Sequence, residues 1–234
     1  MNDQTRVGIF GGTFDPIHFG HLQVAAIAQR ALHLHDLLFL PSHIPLHRGS
    51  PPVANPEHRL AMIKLALQDR AGFHASELEL SSREPSYTSN TLRRLATQGY
   101  TPQQLFFVIG ADAFSEISTW RGYPDILDQA HFIVVSRSGH SVVEILRRVS
   151  GLDDRIKEIP EEPPLPVDII QMKLQEPTVF FIQAATPNIS SSSLRRQMEI
   201  GESVDGLVPP KVLNYIRQKD LYVSSSGKNN FNDH

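Results

Sequence analysis

Continuous apolar runs alternate with amphipathic stretches along most of the chain. The first run, Arg6 to Phe10, reads as a strand covered on both faces and ends at a glycine pair, Gly11-Gly12. From His21 to about Leu32, apolar Leu22, Ala25, Ala26, Ala28 and Leu32 predict a helix. Leu37 to Pro41 predicts a second buried strand, closed by its proline. Ser42 to Pro52 is a loop, broken by prolines and a glycine. Asn55-Pro56-Glu57 then offers an N-cap, a proline at the first helical position and an acid in the first turn. Leu60, Ile63, Leu65 and Leu67 follow within that helix.

The second half repeats the alternation. Phe73 to Leu80 alternates as a strand with one wetter side, and Ser86 to Thr88 forms a turn. Thr88 or Ser89 caps a helix ending at Gly99. Gln104 to Ile109 is another central strand, and Ser115 to Gln129 is helical with breaks at Gly122 and Pro124. His131 to Val135 is a strand and Ser141 to Val149 an amphipathic helix. Thr178 to Ile182 is the last strand expected, and helices follow from Ser190 to about Ile200 and after Pro209-Pro210. Segment 151–177, rich in proline and acids, reads as a surface insertion, and Ser224 to His234 as a disordered polar tail.

This order predicts an α/β fold, a Rossmann-like parallel sheet flanked by helices, in a single domain over residues 1–223. Ligands of such sheets bind beyond the carboxyl ends of the strands. The segments leaving those ends are Gly11 to His21, Ser42 to Arg48, Gly110 to Trp120, Arg137 to Gly139 and Thr186 to Arg196. They should converge on one cleft.

Composition narrows the chemistry. The 234 residues are 40% hydrophobic and 20% charged, as in a soluble globular protein with an ordinary core. With no cysteine, disulfides, thiolate catalysis and cysteine-ligated zinc are excluded. A net charge of -3 gives no global attraction to nucleic acid or anionic membranes. No apolar run reaches membrane-spanning length, and no basic segment leads into a hydrophobic block at the start. A cytoplasmic location is expected, and a homo-oligomer stays open.

Any anion site must therefore be local. The glycine pair and the helix start near His21 suit a phosphate, because free N–H groups and the helix dipole favour an anion there. Neither the dinucleotide fingerprint nor the phosphate-loop pattern is present. Instead the chain carries His18-Phe19-Gly20-His21 near its start and Ile189-Ser190-Ser191-Ser192-Ser193-Leu194-Arg195 near its end. A third ligand that would make His18 and His21 a zinc site is not evident.

The H-x-G-H stretch resembles that of nucleotidyltransferases and class I aminoacyl-tRNA synthetases, where it is associated with nucleotide phosphates. A synthetase also needs a lysine-rich second motif, absent here. The full phrase from Gly11 to His21 resembles the bacterial nicotinate-mononucleotide adenylyltransferase family. Four later blocks do so too: Pro41 to Arg48; Ser86-Tyr87-Thr88 with Thr91-Leu92; Ile109-Gly110-Ala111-Asp112 with Trp120; and Ile189 to Arg195. Arg48 stands for a lysine, Leu46 for a proline and Ser192 for a threonine, and an arginine offers different donor geometry from a lysine.

The resemblance implies a nucleotidyltransferase-type fold and adenylyl transfer from ATP to nicotinate mononucleotide. Mg²⁺ would be bound through the ATP phosphates. It implies catalytic roles for His18, His21 and Arg195. The ATP side would comprise Gly11, Gly12, Thr13, Phe14, His18, His21, Gly110, Asp112, Ser190, Ser191 and Arg195. The mononucleotide side would comprise His47, Arg48, Tyr87, Thr88, Asp112 and Trp120, with the indole stacked on the pyridine ring. Nicotinamide mononucleotide or phosphopantetheine are alternative acceptors, although the phosphopantetheine enzyme usually carries threonine where His18 stands. A non-catalytic nucleotide sensor is the alternative class, against which intact His18, His21 and Arg195 argue.

Plainer readings exist for the same residues. His18 and His21 would serve as helix caps, Asp112 as a cap of the following helix, Trp120 as core and the serines as a linker. Asp15-Pro16 reads as turn chemistry. His33, His35, His43, His58 and His74 read as surface or structural.

Overall fold

The computed structural model describes residues 5–43, 51–82, 84–137, 149, 152, 154–160 and 174–223. Among the described residues seven strands form one sheet: β1 (Val7–Gly12), β2 (Asp36–Pro41), β3 (Phe73–Ala75), β4 (Leu105–Gly110), β5 (His131–Arg137), β6 (Ile156–Ile159) and β7 (Val179–Ala184). Their spatial order is β3-β2-β1-β4-β5-β7-β6, and every pairing is parallel. The helices among the described residues are α1 (Phe19–Leu32), α2 (Pro56–Leu67), α3 (Thr88–Thr97), α4 (Ala111–Phe114), α5 (Ser191–Glu199) and α6 (Pro210–Gln218). Among the described residues, no helix is long and apolar enough to cross a membrane.

Continuous apolar strands follow from burial of both sheet faces. Alternate residues point opposite ways. Phe10, Phe106, Val108, Ile133, Val135, Phe180 and Ile182 join one buried cluster, with Leu22 and Ala25 of α1, Met62 and Ile63 of α2, and Val212 and Ile216 of α6. Ile9, Phe107, Ile109, Phe132, Val134 and Phe181 join the other, with Leu92 and Leu95 of α3 and Phe114 of α4. β1 lies between β2 and β4, the strands whose connections depart on opposite sides, so the strand order reverses there. That is the switch point at which such sheets open a crevice.

Four expectations change. The predicted strand from Phe73 to Leu80 is three residues long. β3 is a sheet edge with one neighbour, and past Ala75 the chain turns, with Ser81 N donating to Glu77 O and Leu78 N to the Ser76 hydroxyl. The stretch from Ser115 to Gln129 is not a continuous helix. It is two 3-10 turns, Ile117–Thr119 and Asp125–Asp128, separated by Gly122 at φ 88° and Pro124, which lacks an N–H. The region read as a surface insertion contributes β6, an outer strand paired with β7 from Ile156↔Val179 to Ile159↔Ile182. Its two central positions, Lys157 and Glu158, are exposed, which hid it within a charged stretch. Finally, Tyr87 occupies the N-cap of α3, without a side-chain cap. The predicted helix from Ser141 and the polar tail lie outside the described residues.

His131 opens β5 at the end of the sheet away from the crevice. It is fully buried and stacked on Phe106, with ring centroids 4.6 Å apart, and its Nδ1 accepts the Thr178 N–H at 2.9 Å. Burial first, and the positive charge of Arg6 second, push its pKa down to about 4. The native state therefore holds a neutral ring where the unfolded chain, with a pKa near 6.5, takes up a proton. Stability is retained above pH 6.5 and falls as the pH drops towards 4, by about 3 kcal/mol in all. Urea unfolding across this window should show the loss. His131→Asn, which keeps an acceptor for Thr178, should lack this loss, so the stability difference between the two proteins should change by that amount across the window.

Candidate active site

The site grows from the turn between β1 and α1. His18 is the N-cap of α1 in an extended conformation (φ -145°, ψ 171°), and His21 is the third helical residue. Each ring caps the other's backbone: His21 N donates to His18 Nδ1 at 3.3 Å, and His18 N donates to His21 Nδ1 at 3.4 Å. The spacing of three follows from this reciprocal cap, which gives the His18 N–H a partner and shares the His21 N–H between His18 Nδ1 and His18 O, the latter at 3.0 Å. The rings stack at 3.7 Å with 25° between planes. Because each Nδ1 accepts, each ring carries its proton on Nε2. Capping and ligand binding are therefore not competing readings: Nδ1 builds the helix start, and the donor atom of each ring is Nε2–H.

The glycines make room. A Cβ on Gly20 would lie 3.0 Å from His18 Nδ1 and Cε1, and one on Gly12 3.0 Å from the Phe14 ring. Phe14 adopts φ 50° and is buried, its ring against Phe10, Phe39 and His21. Its side chain is therefore scaffold. Thr13 is also buried, and its carbonyl accepts from Arg59.

The last block packs onto this turn. Ser190 is the N-cap of α5, its hydroxyl accepting from Ser193 N at 3.1 Å. Ser191 is buried and donates to Pro16 O at 2.9 Å. Arg195 donates from Nη1 to Asp15 O at 2.7 Å and from Nη2 to the Ser192 hydroxyl at 3.3 Å. Thus the two stretches farthest apart in sequence meet, with the N-termini of α1 and α5 side by side.

Other blocks close the ring. β1 and β4 pair up to Phe10↔Val108, and beyond that Gly12 and Gly110 end their strands on the two sides of the switch point. Gly110 is the N-cap of α4, nothing lies within 4 Å of where its Cβ would be, and Asp112 is exposed in the first turn. Trp120 is half-buried and meets Phe107 edge-on at 6.2 Å, while Phe107 lies 3.5 Å from a Cβ on Gly11. The Arg121 guanidinium sits 4.9 Å over the Tyr87 ring. His43 N donates to the Ser86 hydroxyl at 2.8 Å, joining the exit of β2 to the start of α3, whose first residue is Thr88. His47 and Arg48 lie outside the described residues.

The part that sequence reading passed over is beneath this surface. Asp15 is buried rather than a simple turn residue. Its carboxylate accepts from Val53 N (2.8 Å), Ala54 N (3.1 Å) and the Tyr222 hydroxyl (2.6 Å), and Arg195 approaches it to 3.7 Å. Burial first, then the Asp15 charge, raise the Tyr222 pKa far above its ordinary range, so the phenol stays a donor. Arg59 is fully buried in the same network. A charged cavity of about 580 Å³ lined by Asp128, Arg155, Lys157 and Glu176 lies elsewhere, at the amino ends of β5 to β7, away from every strand exit named above.

A parallel α/β sheet with paired helix N-termini, two Nε2–H donors and an arginine at its switch point suits a polyphosphate ligand such as a nucleotide. Residues 9–197 match the cytidylyltransferase-like family. The "Probable nicotinate-nucleotide adenylyltransferase" of Desulfatibacillum aliphaticivorans is 34% identical over 226 residues, covering 93% of this chain and 100% of that protein. The protein of the same description from Desulfitobacterium hafniense is 36% identical over 217 residues, covering 93% and 95%. The chain belongs to the cytidylyltransferase-like family, among its nicotinate-nucleotide adenylyltransferases. In fold it is similar to the Plasmodium falciparum nicotinic acid mononucleotide adenylyltransferase complexed with NaAD. That similarity has a TM-score of 0.66 at 18% identity, over 93% of this chain and 97% of the other.

Gly20→Ala tests the cap directly. The added methyl displaces the His18 ring, so affinity for a nucleoside triphosphate measured by titration calorimetry should fall roughly tenfold. Thermal stability should change little, because alanine is favoured over glycine in a helix by about 1 kcal/mol and offsets the crowding.

Proposed function

We propose that the chain transfers the adenylyl group of ATP to nicotinate mononucleotide, forming nicotinate adenine dinucleotide and pyrophosphate in NAD biosynthesis. The observation that carries this reading is the 2.7 Å bond from Arg195 to Asp15 O. It places the arginine of the last block on the turn that bears His18 and His21. Identity of 34% and 36% with relatives of that description, over 100% and 95% of their length, supports the acceptor.

A phosphate oxygen of the mononucleotide attacks the α-phosphorus of ATP. The bond from that phosphorus to the bridging oxygen breaks, and its electron pair leaves with pyrophosphate. The attacking oxygen is already anionic near neutral pH, so no side chain needs to remove a proton. Catalysis then consists of aligning two polyanions and stabilising charge on the α-phosphate and the departing pyrophosphate.

We assign His18 and His21 to the ATP phosphates as Nε2–H donors, with Arg195 and the α5 start at Ser190 and Ser191 on the opposite side. Gly11, Gly12, Thr13 and Phe14 would line the nucleotide through their backbone, and Gly110 and Asp112 would meet the ribose. His47 and Arg48 are assigned to the mononucleotide phosphate, and Tyr87, Thr88 and Trp120 to the pyridine ring. The start of α3 has no side-chain cap. An uncapped helix N-terminus favours a carboxylate over an amide, which supports the acid as acceptor.

A divalent cation, taken here as Mg²⁺, would enter with ATP on its phosphate oxygens and offset their charge. The donor set fits that role. Both Nδ1 atoms are committed to backbone N–H groups, and the remaining groups are N–H, O–H and guanidinium donors, which suit phosphate rather than a metal.

Pyrophosphate release from Mg-ATP, run in parallel with nicotinate mononucleotide, nicotinamide mononucleotide and phosphopantetheine, tests the reading. The acid should exceed the amide by about tenfold or more. No release with either pyridine nucleotide, or release with phosphopantetheine alone, would overturn it.

A further inference from the structure

Arg59, on the first turn of α2, belongs to none of the sequence blocks and is 0% exposed. Its guanidinium is spent wholly on backbone carbonyls: Nε on Ala54 O at 3.2 Å, Nη1 on Thr13 O at 2.8 Å and Nη2 on Ser42 O at 2.8 Å. Those three carbonyls come from the turn that leaves β1, the residue that follows β2 and the residue just ahead of Asn55 at the α2 start. A buried cation is costly to desolvate, and an apolar side chain would fill the same volume without that cost. What it offers instead is a rigid planar fork whose donors have fixed directions.

The neighbouring charge is arranged to suit. The Asp15 carboxylate accepts from Val53 N and Ala54 N and from the Tyr222 hydroxyl. Residues 53 and 54 are thus held from two sides, by their N–H groups on Asp15 and by the Ala54 carbonyl on Arg59. Ser42 is doubly held as well, its N–H on Gly12 O and its carbonyl on Arg59. Both ends of the segment between Ser42 and Ala54 therefore hang from one guanidinium, which also grips the turn carrying the glycine pair.

We propose that Arg59 is a positioning residue: it sets the spacing between the turn after β1, the end of β2 at Ser42 and the start of α2 at Ala54, and so aligns the mononucleotide with ATP. This rests on the assignment of Tyr87 and Thr88 to the mononucleotide, to which the end of β2 connects through the bond from His43 N to the Ser86 hydroxyl. Arg59 touches neither substrate. Its loss should leave His18 and His21 in place, because their caps are mutual, and should loosen the acceptor side.

Arg59→Lys keeps the charge beside Asp15 but reaches with a single nitrogen, so it cannot span three carbonyls. Three quantities are measured on the full chain: steady-state constants for both substrates, ATP affinity alone by calorimetry, and amide hydrogen exchange at Val53 and Ala54. The expected result is a rise of about tenfold or more in KM for nicotinate mononucleotide with a lowered kcat, since misalignment costs rate steeply. ATP affinity should stay within about threefold, and exchange at Val53 and Ala54 should accelerate. Constants within about twofold of the parent, or an equal loss in ATP affinity, would overturn the proposal. Should the lysine variant not fold, Tyr222→Phe removes one bond from Asp15 and must raise the same KM by about threefold, with ATP affinity unchanged. An unchanged KM there overturns it too. A parent protein that does not turn over the mononucleotide would fault the assigned reaction, whereas exchange at Val53 and Ala54 reports the Arg59 tie independently of it.

Discussion

The reciprocal cap between His18 and His21 is the constraint on which the rest of the cleft depends. A helix start has N–H groups that need partners, and here two of them meet imidazole Nδ1 atoms rather than hydroxyls or carboxylates, that of His21 also donating to His18 O. That choice fixes the H-x-G-H pattern in physical terms. The histidines must be three apart to cap one another, and of the two residues between them Gly20 must stay small, because a Cβ there would stand 3.0 Å from His18 Nδ1. It also fixes the chemistry on offer. With Nδ1 committed as acceptor, each ring is a rigid Nε2–H donor, which suits charge developing on phosphate and excludes a role as proton acceptor at Nδ1 while the cap holds.

A second layer keeps this turn in register with the distant parts of the chain. Asp15 receives the amides of Val53 and Ala54 and the Tyr222 hydroxyl, and its carbonyl receives Arg195. Ser191 reaches Pro16 O, and Gly20 abuts Ile189, whose Cβ is 3.7 Å from where a Gly20 Cβ would lie. One short turn thus collects the segment ahead of α2, the start of α5 and Tyr222 beyond α6. Preorganisation of this kind is what a reaction without a general base requires, because alignment and charge are all that the protein supplies.

The fold was legible wherever burial on both faces imposed a continuous apolar run, as in Leu37 to Leu40 and Gln104 to Ile109. It was less legible at the sheet edges. β3 stops after three residues because it has one neighbour, and β6 hid behind exposed Lys157 and Glu158. The site was legible where backbone geometry restricts residue type, at Gly11-Gly12, Gly20 and the two histidines. Asp15, Arg59 and Tyr222 were not, because their partners are main-chain atoms or side chains brought together only by the fold. A buried arginine holding carbonyls of Thr13, Ser42 and Ala54 leaves no local pattern. The one signal available was Arg59 itself, a charge on the same helix face as Met62, Ile63 and Ala66, all of which are buried.

Nitrogen-15 NMR of the histidine rings in the free protein at neutral pH tests the central claim most directly. The account predicts that His18 and His21 both carry a bare Nδ1 and a protonated Nε2, and that Gly20→Ala abolishes this for His18. An Nδ1–H tautomer for either ring in the parent protein would contradict it.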